Sequence, residues 1–226
     1  MEFQLKFKLN NHLYLKNPEN SEIGKAIVKN AIALISEIGF EHFTFKKLAV
    51  LIDSTEATIY RYFSSKHKLL IYILNWYWSY LEFVSKMRVN HLKSAEKKLK
   101  IVLEIITHND TPNSAIMDYN LKDLHNIVVS ESSKSYLVKE VDLINKEMVF
   151  NPLKSFCLFI SELILTIKPD FQYSKSLAST LLETAHHQHF FSEHLPKLTD
   201  YTNEGNNEHK QYVLDYLTTL TFSVIK

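Results

Sequence analysis

Apolar and polar residues alternate strictly at the start of the chain. Phe3, Leu5, Phe7 and Leu9 fall on one face and Glu2, Gln4, Lys6 and Lys8 on the other, a period of two that predicts a strand. After Asn10-Asn11-His12, Leu13 and Leu15 resume the pattern, and Asn tolerates the positive φ that hairpin loops need. A three-residue loop sets Leu9 opposite Leu13 and Phe7 opposite Leu15, so a short N-terminal β-hairpin is expected. The alternative is a frayed arm, because two isolated strands are marginal without a cover for their apolar face.

From residue 21 the period becomes helical. Ile23, Ile27, Ala31, Leu34, Ile35 and Ile38 recur at spacings of three and four, with Ser21 or Asn20 as N-cap and Gly39 placed for the left-handed C-terminal position. Thr44 caps a short second helix carrying Leu48, Ala49, Leu51 and Ile52. Asp53-Ser54 breaks it, and Thr55 caps a third helix from Glu56 to about Phe63. Ser64 or Ser65 caps a long fourth helix with Leu69, Ile73, Trp76, Tyr80, Phe83 and Met87 on its inward stripe. Further helices are expected at Ser94 to Thr107, Asn113 to Val128, Ser132 to Lys146, Pro152 to Ile167, Ser174 to Phe191 and Asn206 to Val224. Pro112, Pro152, Pro169 and Pro196 fall at or between these boundaries, where a helix tolerates them. Thr199 to Glu208 is expected to be a loop.

Composition supports this all-α picture: with 3 Gly and 5 Pro in 226 residues, a sheet fold built on many tight turns is excluded. At 46% hydrophobic residues the chain can bury a sizeable core. One cysteine, Cys157, permits no internal disulfide and fits a reducing, cytoplasmic setting. The longest mostly apolar stretch, Phe156 to Ile167, is too short to span a bilayer, which needs about 20 residues, and no signal peptide is read at Met1-Glu-Phe-Gln-Leu-Lys. Net charge is +1, unevenly divided: residues 1–90 hold 12 Lys/Arg against 8 Asp/Glu, and residues 91–226 hold 14 against 17. The mildly basic front is compatible with a nucleic-acid partner.

The most specific residues follow the first helix: Gly39-Phe40, then Thr44-Phe45-Lys46-Lys47-Leu48-Ala49, then Thr55-Glu56-Ala57-Thr58-Ile59-Tyr60-Arg61-Tyr62-Phe63, then Lys66 and Leu69. Two short helices joined by a tight turn and followed by a long one form the layout of a helix-turn-helix. Over roughly residues 22 to 72 this resembles the N-terminal domain of the tetracycline-repressor (TetR) family of bacterial regulators. The turn departs from the family pattern, with Asp53 and Ser54 where a Gly and an apolar residue are usual, and Glu56 stands where a Lys or polar residue is common. A carboxylate there repels phosphate unless it meets a cytosine amino group. The resemblance implies a DNA-binding transcriptional regulator, a repressor rather than an enzyme, that pairs through its last two helices as a homodimer. It also implies a two-fold-symmetric double-stranded operator, released when a small effector binds.

Geometry assigns roles within that frame. The helix starts at Thr44, Thr55 and Ser65 present N–H groups to phosphate, and Lys46, Lys47, Lys66 and Lys68 add charge. Glu56, Ala57, Thr58, Tyr60, Arg61 and Tyr62 are the side chains that can reach bases or backbone from the third helix, while Leu48, Ala49, Ile59 and Phe63 form its core. Residues 1–19 are taken as the arm, 20–82 as the DNA-binding domain and 83–226 as the effector and dimerisation domain. Trp76, Tyr80 and Phe83, with Tyr119, His125 and Phe156 facing them, are candidate walls of a pocket for a largely apolar effector, the alternative being plain core. Val213, Leu214, Leu217, Leu220, Thr221 and Val224 form a terminal stripe expected to be buried only against a partner. Glu183, His186, His187, His189 and His194 cluster near one helix end. Histidines are favoured there electrostatically without a ligand, and neither metal nor another cofactor is expected.

Overall fold

The computed structural model describes residues 5–108, 119–202 and 209–225. Among these the chain is helical, with no strand, and no helix is long and apolar enough to cross a membrane. Two compact units form, Met1–Trp78 with Thr111–Pro152, and Ser79–Asp110 with Leu153–Lys226.

In the first unit, Ser21 accepts from the Gly24 N–H and so starts α1 (Glu22–His42). Ile27, Ala31 and Ile35 are buried as the spacing predicts, joined by Val28 and Ile32. Gly39 breaks the helical path at φ 75°, ψ 156°, a region essentially reserved to glycine, and Phe40 and Phe43 then turn inward. α2 (Phe45–Leu51), α3 (Glu56–Tyr60) and α4 (Lys66–Val89) follow. Leu69 through Trp78 of α4 are buried on every side. α6 (Leu121–Glu131), capped by Asn120, packs against α1. The Ser36 hydroxyl donates to Asp123 at 3.1 Å, and the buried Glu131 carboxylate accepts from the Phe40 N–H at 3.1 Å. The other Glu131 oxygen lies 2.7 Å from Lys134 Nζ, so that buried charge is paired.

Two expectations change here. The N-terminal hairpin does not form among the described residues. Asn10 instead accepts from His12 N–H and starts a 3-10 turn at Asn11–Leu13, while Leu15 N–H bonds the Tyr62 carbonyl at 2.7 Å. Part of the alternating apolar face is covered by the protein's own fold rather than by a partner strand: Leu9 and Leu13 are buried and the Phe7 ring meets Trp76 edge-on at 5.3 Å, while Leu15 stays exposed. The helix expected over Ser132 to Lys146 is two short ones, α7 (Ser133–Tyr136) and α8 (Val141–Lys146). Ser135 turns its hydroxyl onto the Ser132 carbonyl at 2.7 Å, the local competition by which serine weakens helices, and Leu137 and Leu143 stay exposed. The helix expected from Asn113 begins at Leu121, since Asn120 is extended; its residues 113–118 lie outside the described residues, as do 203–208 of the expected loop.

The second unit holds residues 79–89 of α4, α5 (Ala95–His108), most of α9 (Asn151–Ile167), α10 (Ser174–His194) and α11 (His209–Ile225). α5, α10 and α11 pack mutually around Leu99, Leu103, Leu181, Ala185, Val213 and Leu217. Val213, Leu217 and Thr221 are therefore buried within their own chain. The expectation that this stripe needs a partner is overturned for these three, because α5 and α10 already cover them. On α4, Phe83 (38% exposed) and Met87 (61%) leave the inward stripe, and Leu81, Ser85 and Val89 are buried instead.

By packing, α6 to α8 belong with the first unit, whereas the division expected from sequence at residues 82 and 83 follows the chain linearly.

Candidate nucleic-acid interface

The corner of α2 and α3 is built by caps at both starts. Thr44 Oγ1 accepts from Lys47 N–H and Thr55 Oγ1 from Thr58 N–H, each at 3.2 Å. Between them Asp53 takes φ 50°, the left-handed conformation that Asp tolerates better than most residues, and Ser54 N–H returns to the Ala49 carbonyl at 2.9 Å. Leu48, Ala49, Ile59 and Phe63 are buried behind the corner. That leaves Thr44, Lys46, Lys47, Thr55, Glu56, Ala57 and Arg61 exposed and Thr58 half-buried on the outside. Tyr60 is 49% exposed, with its ring held edge-on against Phe45 at 4.9 Å. Lys46, Arg61 and Glu56 have no side-chain hydrogen bond or ion pair among the described residues.

Three residues placed at this surface from sequence do other work. Lys66 Nζ donates to the carbonyls of Phe40 (3.0 Å), Glu41 (3.3 Å) and Phe43 (3.1 Å) and sits 4.7 Å from the centre of the Phe40 ring. All three ammonium donors are thus used to close the end of α1 onto the start of α4. Lys68 pairs with Glu147 at 2.6 Å, and that hydrogen bond holds the Glu147 carboxyl below its ordinary range. Tyr62 is buried, its hydroxyl 2.7 Å from Ser21 Oγ. Lys47 is engaged only at the helix end, donating to the His42 carbonyl at 2.9 Å while staying exposed. Sequence periodicity gave no warning of the Lys66 clamp, because its acceptors are carbonyls exposed by the break at Gly39.

The candidate effector residues fall in both units. In the first, the Trp76 ring meets Tyr119 edge-on at 5.1 Å, Tyr77 and His125 Nδ1 are 3.0 Å apart, and the Glu19 carboxylate accepts from Tyr72 (3.1 Å) and Tyr119 (2.8 Å). The Glu19 bridge was not legible in the sequence. In the second unit Tyr80 and Phe156 are buried, burial pushing the Tyr80 phenol up to about 12. Of the histidines, His186 and His189 are buried, and His187 Nδ1 donates to the Glu183 carbonyl of its own helix at 2.9 Å. His194 is exposed. No group of three or more His, Cys, Asp or Glu among the described residues is placed to hold a metal ion.

With the capped corner, its left-handed turn and its polar outer face in place, the sequence can be compared with known proteins. Residues 27–73 match the family model of bacterial regulatory proteins, tetR family. The chain carries a tetR-family domain. This makes α2 and α3 the helix-turn-helix of a DNA-binding transcription regulator. Solved structures share the fold well beyond the tetR-family domain. AibR in complex with isovaleryl coenzyme A and operator DNA superposes with a TM-score of 0.56 at 16% identity, over 87% of this chain and 96% of that one. FadR from Bacillus subtilis in complex with stearoyl-CoA gives 0.58 at 16%, over 86% and 97%. The superantigen PfiT gives 0.59 at 14%, over 89% and 96%. At such identities the likeness is one of fold. No curated protein is a detectable relative of the sequence.

Proposed function

We propose that the protein is a sequence-specific transcriptional repressor. It dimerises through α10 and α11, binds two-fold-symmetric double-stranded DNA through α2 and α3, and leaves it when a small, largely apolar effector binds. The observation that carries this reading is the outer face of the corner. Ala57 and Tyr60 of α3 and Arg61 just after it are exposed and Thr58 is half-buried, on a corner whose opposite side is packed, so the surface they show to solvent serves no core. Thr44, Lys46, Lys47, Thr55 and Arg61 supply phosphate contacts, which position the protein, while the α3 side chains read base edges. Dimerisation draws on the side of α11 that its own chain leaves open, including Tyr216 (40% exposed) and Val224. For the effector, the edge-on pair of Trp76 and Tyr119 at 5.1 Å is the wall this reading draws on first. Two proteins of the same fold are solved with acyl coenzyme A thioesters, which makes an acyl chain the first chemistry to try.

A second reading keeps the fold without specific DNA binding. It is favoured by the exposed Glu56 and by the engagement of Lys66 and Lys68, which reduces the free positive charge. Selection of DNA by the purified protein from a random pool separates the two. Recovery of a two-fold-symmetric sequence whose affinity falls steeply with salt supports the repressor. Recovery of no common sequence supports the interaction protein. For the effector, acyl thioesters should quench Trp76 and Trp78 fluorescence and release the DNA in parallel.

A further inference from the structure

The N-terminal arm makes contacts that a disordered leader would not make. Leu9, Leu13 and Pro18 are buried. Asn10 Nδ2 donates to the Glu147 carbonyl at 2.7 Å, and the Tyr14 ring meets Tyr72 edge-on at 6.1 Å. The turn Pro18–Asn20 packs so closely on α1 that a Cβ at Gly24 would collide with the Pro18 backbone. The arm's course past the helix-turn-helix is thus fixed by core packing.

Its closest approach is to the end of the recognition segment. Leu15 N–H donates to the Tyr62 carbonyl at 2.7 Å, Ser21 Oγ lies 2.7 Å from the Tyr62 hydroxyl, and Lys16 Nζ stands 5.2 Å from the centre of the Tyr62 ring. Lys16 is exposed, as is Arg61 next to Tyr62 in the chain. Burial alone would raise the Tyr62 phenol. Hydrogen bonding with Ser21 and Lys16 and the charges of Lys16 and Arg61 outweigh it, and the phenol lies below its ordinary value of 10.0. Lys16 and Arg61 therefore act on one oxygen although they are far apart in sequence. Ser21 holds the Tyr62 hydroxyl and the Leu15 N–H its main-chain carbonyl, so the buried ring carries the exposed lysine at a defined place.

We propose that Lys16 is a DNA-phosphate contact, extending the basic edge of the helix-turn-helix beyond Arg61 onto the N-terminal arm. This rests on the DNA-binding reading and adds to it a residue outside the tetR-family match at residues 27–73. The tyrosine ring holds the cation by the attraction of its face, and among the described residues no carboxylate pairs with Lys16, which leaves its ammonium to meet the backbone of the duplex. Lys66 and Lys68 point their ammonium groups at internal acceptors, whereas Lys16 is exposed and adds a cation beside the end of α3. A phosphate contact carries no sequence information, so Lys16 sets affinity and register while α3 sets preference.

The test uses the DNA sequence that the parent protein selects, with affinity measured as a function of salt for the parent, Lys16→Ala, Lys16→Arg and Lys8→Ala. One lost phosphate contact lowers the slope of log affinity against log salt by about 0.9, so from about 50 to about 200 mM salt the parent should lose about 3.5-fold more affinity than Lys16→Ala. The preference for selected over scrambled DNA should be unchanged, Lys16→Arg should restore the slope, and Lys8→Ala, exposed elsewhere on the arm, should match the parent. An unchanged slope in Lys16→Ala, or an equal change in Lys8→Ala, overturns the proposal while leaving the DNA-binding reading intact. A parent protein that selects no sequence overturns both.

Discussion

The α2–α3 corner and the terminal helix α11 both show an apolar stripe and a polar face, yet the stripes mean different things. In the corner, helices of seven and five residues bury their few apolar side chains locally, so whatever remains outside is free to meet a partner. α11 is 17 residues long, and its most apolar stripe is spent on α5 and α10 of the same chain. A stripe near a terminus therefore does not announce an interface. What announces one is polar or aromatic exposure that the local packing does not need.

The largest effect expected from this contrast is at Leu217. Replacing it with Asp buries an unpaired carboxylate, which should cost more than about 3 kcal/mol and unfold the chain in urea titration. A folded monomer from Leu217→Asp would show that the stripe faces a partner after all. Tyr216→Asp, one residue along and partly exposed, should leave urea stability nearly unchanged while lowering the mass seen by sedimentation.

Next in size is Gly39→Ala. Its Cβ would meet only Glu131 Oε1 at 3.7 Å, an ordinary contact, so the cost is purely conformational, about 1–3 kcal/mol. Thermal unfolding indistinguishable from the parent would mean that the break in α1 is not fixed as described.

Lys66→Ala removes three hydrogen bonds to carbonyls and should destabilise by about 1–2 kcal/mol without changing the salt slope of DNA binding. Lys46→Ala should do the reverse, keeping stability and lowering the slope by about 0.9. If the two variants exchange these behaviours, the division between clamp and contact is wrong.

The smallest effect is chemical. Burial, with a further push from the charge of Glu183, raises the Cys157 thiol to about 11. A group whose folded-state value is raised keeps its proton, so the unfolded state loses protons first as pH climbs through the ordinary thiol range, and any stability linked to Cys157 is full below that range and declines above it. Alkylation of the folded protein should be slow at neutral pH and accelerate only as pH nears 11. Rapid labelling at pH 7 would place Cys157 outside the packed surface of α9.

Most of the corner was legible in sequence because it is made by local rules. Thr44, Thr55 and Ser65 cap the helices they precede, Gly39 and Asp53 take positive φ, and each depends only on neighbours within four residues. What was not legible depends on distant acceptors. Nothing near Lys66 in sequence points to the carbonyls of Phe40, Glu41 and Phe43, and nothing near Glu19 points to Tyr72 and Tyr119. The alternating arm misled for the same reason. A period of two shows only that a face is apolar, and here Leu9 and Leu13 are buried without a second strand while Leu15 is left exposed.

The central claim is that the exposed side chains of α3 read DNA. Its most direct test is the affinity of the parent and of Thr58→Ala/Tyr60→Ala/Arg61→Ala for the selected duplex and for a scrambled one at the same salt. The parent should prefer the selected sequence, and the triple variant should bind both duplexes alike, weakly and with a salt slope shallower by about 0.9 for the lost Arg61 contact. Retention of the parent's full preference by the triple variant would contradict the account.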